Sequence, residues 1–354
     1  MIMNLRNLVK RLLKNLSFLI SLTVILGVLS GRLCAQNVYV HDPVMIKEGN
    51  TYHLFCTSPG IASFSSTDLS DWKFTGPVFK EIPSWTYKTI KGFNGHIWAP
   101  DIVHHNDLYY IYYSISAFGK NTSCIGVATN TTLDTASADH QWKDHGIVVQ
   151  SVPNRDLWNA IDPNIAFDDQ GNAWMVFGSF WQGMKLVRLD STLLRIKQPE
   201  EWQTLSRRSR SFDLPDADPG DAAVEAPFIF RKNGYYYLFV SFDHCCRGVR
   251  SDYKIMVGRS KSITGPYLDK EGVDMFLGGG SVVLQGDDRY PGLGHNSVYT
   301  FEDKDFIVCH AYDAEDEGRP VLRIMQLSWD EDLWPVPELK TELECSTSYK
   351  PKFN

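Results

Sequence analysis

Three acids and one imidazole stand at matching places along this chain. Asp42 precedes Pro43, Asp162 precedes Pro163, Glu225 lies beside Ala226-Pro227, and His295 precedes Asn296. Taken singly, each has a plain explanation. Asp before Pro starts many turns, Glu before Ala-Pro can be a solvated strand end, and His295 after Gly294 can be a satisfied structural histidine. Taken together, they bring like charges to equivalent positions, which is costly and shifts pKa values. A catalytic acid/base set accounts for that cost better than a structural role does. Two carboxyl groups facing a glycosidic bond suit hydrolysis, one protonated to donate and one ionised to activate water or attack. A third acid can hold the donor's pKa up. Trp85, Trp98, Phe118, Trp158, Phe180 and Trp181 fall in or near the adjoining loops. Sugars stack their apolar faces on such rings.

Such convergence needs a fold that repeats. Aromatic and β-branched runs recur between Gly, Asn and Asp turns, and no long stretch has helical periodicity. The runs fall into five units. HDPVMIKEGN-TYHLFCTS is followed by APDIVHHN-LYYIYYS, DPNIAFDDQGN-AWMVFGSF, APFIFRKNG-YYYLFVSF and HNSVYTFEDK-DFIVCHAYD. The anchors Pro43, Pro100, Pro163, Pro227 and Asn296 are 57, 63, 64 and 69 residues apart. A unit of about four short strands repeated in this way is a β-propeller blade. The expected fold is therefore all-β, one five-bladed propeller over 36–354, with the unit openings lining its channel. A two-sheet sandwich would not need the periodic opening.

The chain has 354 residues, 43% hydrophobic and 22% charged, which are globular values. Residues 1–35 read as a signal peptide. A basic stretch through Lys14 precedes an uncharged run from Asn15 to Gly31, slightly short for a membrane span. Export to the periplasm or outside the cell follows, with no membrane span in the mature protein. Beyond that segment Lys and Arg number 30 against 42 Asp and Glu, a net of −12. No nucleic-acid partner is expected of so acidic a surface. Cys56, Cys124 and Cys309 lie in apolar runs and read as buried thiols. Cys245-Cys246 beside His244 lacks the spaced pairs typical of zinc, so no metal is expected there.

At HDP, NGHIWAPD, YSISAFGKNTS, WNAIDPN, FGSFWQG, VEAPF, FDHCCRG, GLGHNS and CHAYD the chain resembles glycoside hydrolase family 43, and within it the endo-1,5-α-L-arabinanases. The resemblance implies an inverting attack on arabinan, with Asp42 as general base, Glu225 as general acid and Asp162 tuning and orienting the donor. It implies substrate contacts at Asp42, Trp98, Gly119, Asn159, Ala160, Ile161, Asp162, Ser179, Phe180 and Trp181. It implies a metal ion, commonly calcium, held through water at His295. Calcium prefers 6–8 oxygen ligands, so one histidine leaves most of the shell to water. Other activities in the family are an exo-acting arabinanase, an α-L-arabinofuranosidase and a β-xylosidase. Loops near 80–95 and 200–222 would decide between open and blocked grooves. A sugar-binding propeller without catalysis would not need the three acids.

Overall fold

The structure is a computed structural model and describes residues 36–349. The expected signal peptide lies outside the described residues. From Asn37 onward the chain forms one compact unit. Five antiparallel sheets follow one another in sequence, as the repeat requires. The first blade comprises Val44–Glu48, Thr51–Cys56, Ala62–Ser66 and Asp71–Pro77. The second comprises His96–His105, Leu108–Ile115, Ser123–Asn130 and Lys143–Ser151, and the third Asn164–Phe167, Ala173–Phe177, Met184–Arg188 and Trp202–Ser206. The fourth comprises Val224–Lys232, Tyr235–Phe242, Lys254–Ser260 and Ser281–Gln285, and the fifth Gly294–Phe301, Lys304–Asp313, Arg319–Trp329 and Pro335–Pro337. Ser346–Thr347 pairs in parallel with Asp71 and Trp72, tying the end of the described chain to the first blade. The α-helix Ser84–Thr89 has six residues, in keeping with the lack of helical periodicity.

Strand alternation explains how blades pack. Successive side chains of a strand point to opposite faces. In the second blade, Tyr109, Ile111 and Tyr113 meet Val44 and Phe55 of the first. Tyr110 and Tyr112 turn the other way and meet Ile165 and Met175 of the third. In the fourth blade, Tyr236, Leu238 and Val240 face Trp174 and Val176, whereas Tyr237 and Phe239 face Val298 and Ile307 of the fifth. Met45 and Leu54 close the ring against Val308 and Leu322. Each blade thus buries both faces against neighbours. Fully burying one such apolar side chain contributes about 1.5–3 kcal/mol. The long Tyr runs of the sequence are wedges between blades.

Polar groups fasten the inner strands. Asp101 Oδ2 accepts from the Ile165 N–H at 2.7 Å. Asn164 Oδ1 in turn accepts from the Ile229 N–H at 2.9 Å, and Ser297 Oγ donates to the Pro43 carbonyl at 3.0 Å. Burial lifts the Asp101 carboxyl to about 7, against the hydrogen bonds from Ile165 and Asn164 that favour its charge.

Trp72 is fully buried, and its Nε1 donates to the Leu69 carbonyl at 2.9 Å. It sits in the cluster that closes the ring between the fifth and first blades. Trp72→Ala should cost about 3–5 kcal/mol. Urea unfolding should show a markedly lower midpoint with a similar slope. An unchanged midpoint would contradict a closure that depends on this contact.

Candidate active site

The five openings share one backbone device. Asp42, Ala99, Asp162, Ala226 and His295 each adopt a left-handed conformation, with φ of 54, 40, 57, 54 and 50°. Such φ values are uncommon for residues other than glycine and cost of order 1–3 kcal/mol each. Each immediately precedes an anchor of the repeat. The turned-out N–H is then caught by the blade before it. Ala99 N–H donates to Thr57 Oγ1 at 2.8 Å, Asp162 N–H to Ser114 Oγ at 3.0 Å and His295 N–H to Ser241 Oγ at 2.9 Å. Asp42 N–H donates to His310 Nδ1 at 3.2 Å. Ser179 holds the equivalent place between the third and fourth blades, but its hydroxyl donates to Glu225 Oε2 at 2.7 Å. Ala226 N–H turns instead to Asp162 Oδ2 at 3.1 Å. The latch is exchanged for two bonds that hold carboxylates. The register also corrects the sequence alignment: Ala226 is the counterpart of Asp42 and Asp162, and Glu225 stands one residue earlier.

These openings surround a cavity of about 870 Å³. Asp42, Asp162, Glu225 and His295 all line it, as do Trp98, Gly119, Asn159, Ile161, Ser179, Phe180 and Trp181. Ala160 does not. It is fully buried in the core between the second and third blades, with its N–H on Ser151 Oγ at 3.0 Å. Its side chain therefore faces packing rather than the cavity. Trp85 and Trp158 are also placed elsewhere. Trp85 packs on the cluster between the first and second blades and donates to Asp144 Oδ2 at 2.7 Å. Trp158 packs on Phe177 and Trp202. Phe118 is 79% exposed at the mouth, whereas Trp181 is only 2% exposed and donates to the Asp216 carbonyl at 2.8 Å. The buried Asn159 Oδ1 has no partner among the described residues, leaving an acceptor for a hydroxyl.

The carboxyl groups differ in their surroundings. Asp42 Oδ1 lies 2.8 Å from His41 Nδ1 and 3.0 Å from His295 Nδ1, and Oδ2 accepts from Thr57 at 2.6 Å. Burial alone would raise its pKa, but the two imidazoles overrule it and hold the carboxyl well below the usual range. Asp42 is therefore a carboxylate. Burial pushes Asp162 well above the usual range; His295 opposes this, while Glu225 and Asp42 add to it. Burial also raises Glu225, against the Ser179 and Tyr253 hydrogen bonds. Tyr253 donates to Glu225 Oε1 at 2.8 Å. Glu225 is thus a held, protonatable group. Burial would lower His295, yet Asp42 and Asp162 lift it to about 9. His310, fully buried, accepts from a backbone N–H and is kept neutral, its pKa well below the ordinary value. Its 3.8 Å approach to Asp42 is therefore no ion pair.

Sequence reading missed His41, Thr57, Tyr253 and His310. His310 lies on the second strand of its blade, Thr57 just after a second strand and Tyr253 just before a third, where nothing in the local sequence marks them. Gly294 carries a faint signal, because a Cβ there would fall 1.9 Å from Tyr253 Cδ1. Only glycine lets that ring reach Glu225. The two cysteines of FDHCCRG also reach the cavity. A hydrogen bond from Cys245 is the main influence that lowers the Cys246 thiol to about 5, and His41 adds to it.

The chain matches the family model described as glycosyl hydrolases family 43 over residues 36–335. It is 52% identical over 318 residues to an extracellular exo-α-(1→5)-L-arabinofuranosidase of Cellvibrio japonicus, covering 90% of this chain and 91% of the relative. It is 41% identical over 305 residues to an extracellular endo-α-(1→5)-L-arabinanase of Bacillus subtilis, covering 85% and 88%. Among solved structures, a Cellvibrio cellulosa α-L-arabinanase complexed with arabinohexaose superposes with a TM-score of 0.85 at 52% identity, over 86% of this chain and 97% of that one. The chain belongs to glycoside hydrolase family 43, and it is an arabinan-degrading enzyme by kinship.

Removing the Tyr253 hydroxyl takes away a hydrogen bond that favours ionised Glu225. Tyr253→Phe should therefore raise the Glu225 pKa further. A general acid acts while protonated, so the alkaline limb of the kcat/KM profile should move to higher pH. A profile identical to the parent's would refute the contact's influence on the acid.

Proposed function

We propose, for a chain of family 43, that it hydrolyses α-1,5-L-arabinofuranosidic bonds of arabinan by single displacement with inversion. The observation that carries this is the opposite tuning of two carboxyl groups in one cavity: Asp42 held ionised by two imidazoles, Glu225 lifted by burial. Asp42 takes a proton from water as that water attacks the anomeric carbon. Glu225 gives its proton to the departing oxygen as the carbon–oxygen bond breaks. Asp162 shares the cavity with Glu225, whose charge disfavours ionisation of Asp162, and Asp162 Oδ2 accepts from the Ala226 N–H and so fixes the backbone next to the acid. Trp98 and Phe180 supply faces for furanose rings, Trp181 backs the wall, and Gly119, Asn159, Ile161 and Ser179 complete it. Export by residues 1–35 would bring the enzyme to a polysaccharide outside the cytoplasm, in keeping with relatives named extracellular.

The motifs lead to internal cleavage, the endo mode. One feature favours a second reading, release of short products from a chain end. The loop before the fourth blade brings Pro219, Gly220 and Asp221 to the cavity wall. Arg210 staples that loop by donating to the carbonyls of Pro215 and Asp218 at 2.6 and 2.7 Å. Trp181 pins it through Asp216. A wall held this firmly suits a groove closed on one side, and the relative at 52% identity is named exo-acting.

Glu225→Gln should lower kcat on linear arabinan by roughly 10²–10⁴-fold. The first product should carry the inverted anomer, read by proton NMR during early turnover. Mixed oligomers at early times mean internal cleavage; a single short product means end-directed cleavage. Near-normal turnover by Glu225→Gln, or a retained anomer, would refute the mechanism.

A calcium ion at His295 also belongs to the proposal. Nδ1 of His295 is committed to Asp42, which leaves Nε2 for a cation once that nitrogen gives up its proton. The neighbouring Asn296 is buried, and neither polar atom of its amide has a partner among the described residues. The adjacent carboxylates already hold hydrogen bonds. This donor set fits only a largely hydrated ion, which would supply positive potential at the channel. EGTA should then lower the Tm of the parent, and added calcium should restore it. His295→Gln should show no calcium-dependent difference; equal responses in both proteins would remove the ion from this site.

A further inference from the structure

The pair Cys245-Cys246 lacks the spacing of a zinc motif, yet the fold supplies what the sequence does not. Cys246 has a left-handed φ of 64°, and the two sulfurs face the same cavity. His41, from the opening of the first blade, meets them there. Cys246 Sγ lies 3.8 Å from His41 Nε2, and the two sulfurs and a His41 nitrogen lie within 4.8 Å of one another. Zinc–sulfur bonds of about 2.3 Å and zinc–nitrogen bonds of about 2.0–2.1 Å place tetrahedral ligands roughly 3.5–3.8 Å apart. The cluster is within a small contraction of that size.

We propose that Cys245, Cys246 and His41 form a binding site for a thiophilic divalent cation of the zinc type, on the wall of the catalytic cavity, and that occupancy switches hydrolysis off.

Three further contacts fit. His41 Nδ1 is 2.8 Å from Asp42 Oδ1, so the carboxylate fixes Nδ1–H and leaves Nε2 as the ligating nitrogen. Metal-bound histidines commonly make this bond to a carboxylate. Cys245 Sγ is 3.6 Å from Glu225 Oε1, which places a fourth ligand beside the pair. The Tyr312 hydroxyl, 2.9 Å from His41 Nε2, is the group the ion must displace. It keeps its bond from the Cys246 N–H at 2.7 Å. Ligation is an exchange: two metal–sulfur bonds and one metal–nitrogen bond form, and the protons still carried by Cys245, Cys246 and His41 Nε2 pass to solvent. The ion would engage Glu225 as a ligand and tie the partner of Asp42. The site stands on geometry alone, while its inhibitory consequence rests on the acid role of Glu225.

The test uses the full chain in a phosphine reductant with excess calcium. Cadmium titration should produce a thiolate-to-metal charge-transfer band saturating at one equivalent per chain. Excess zinc should compete with cadmium for the band, and zinc alone should lower kcat more than 10-fold at micromolar concentration and release activity on chelation. The Cys245→Ser/Cys246→Ser double variant should lose the band. His41→Gln should weaken binding at least 10-fold, with each variant's inhibition measured against its own metal-free rate. No saturable band, or an equal band in the double variant, overturns the site. A disulfide that persists under reductant, seen as a two-hydrogen loss in intact mass, overturns it as well. Stoichiometric binding with full activity overturns the inhibitory step.

Discussion

Three carboxyl groups buried around one cavity cannot all carry charge unless something positive stands with them. Asp42 has two imidazoles within 3.0 Å and stays charged. Asp162 and Glu225 share the remaining space and are both pushed toward the protonated form. This division of charge makes one group a base and another an acid at a common pH. His295 is the pivot. It neutralises Asp42, and the acids return the favour by lifting its own pKa to about 9. The linkage has a definite sign. Asp42 contributes stability above its unfolded pKa and loses it as pH falls through the depressed folded value. His295 contributes below its unfolded pKa and loses it as pH rises through about 9. Between those limits the two charged partners stabilise each other.

That arrangement needs side chains from four blades held in fixed register, and the left-handed openings provide it. Each opening would be unfavourable alone. Each is kept by a hydrogen bond from its turned-out N–H to the blade before, so the strain and the ring reinforce one another. Between the third and fourth blades the chain gives up the common latch. Ser179 serves Glu225 and Asp162 serves the Ala226 backbone. The structural bond and the catalytic bond are here the same bond, which joins the acid's position to the closure of the propeller.

Much of this could be read in the sequence. The five anchors give blade number and order, because a repeat must place equivalent residues equivalently. Asp42, Asp162 and His295 fall at the anchors, so their convergence follows from the period alone. Glu225 was reachable only through the adjoining Ala-Pro, since it stands one residue off the register. Tyr253, His310 and Thr57 were not legible. They lie on or beside second and third strands, where polar and aromatic residues are also ordinary packing, and their function depends on which neighbour the ring presents. Ala160 shows the opposite case. It lies within a run that lines the cavity, but its methyl packs into the core between the second and third blades. Trp85 and Trp158 likewise look like platforms by composition and are packing by position.

The same reasoning explains why the vicinal cysteines escape a sequence motif. Metal motifs are spaced because one local segment must supply several ligands at tetrahedral separation. A propeller hub removes that need, since blades distant in sequence meet there. His41 and Cys246 are 205 positions apart and their side chains come within 3.8 Å. A thiol pair that is uninformative on a line becomes a soft-ligand cluster on a circle, next to a carboxylate that already orients the imidazole. The hub that gathers acids for catalysis therefore gathers other reactive groups too, and any ligand they hold sits within reach of the acid.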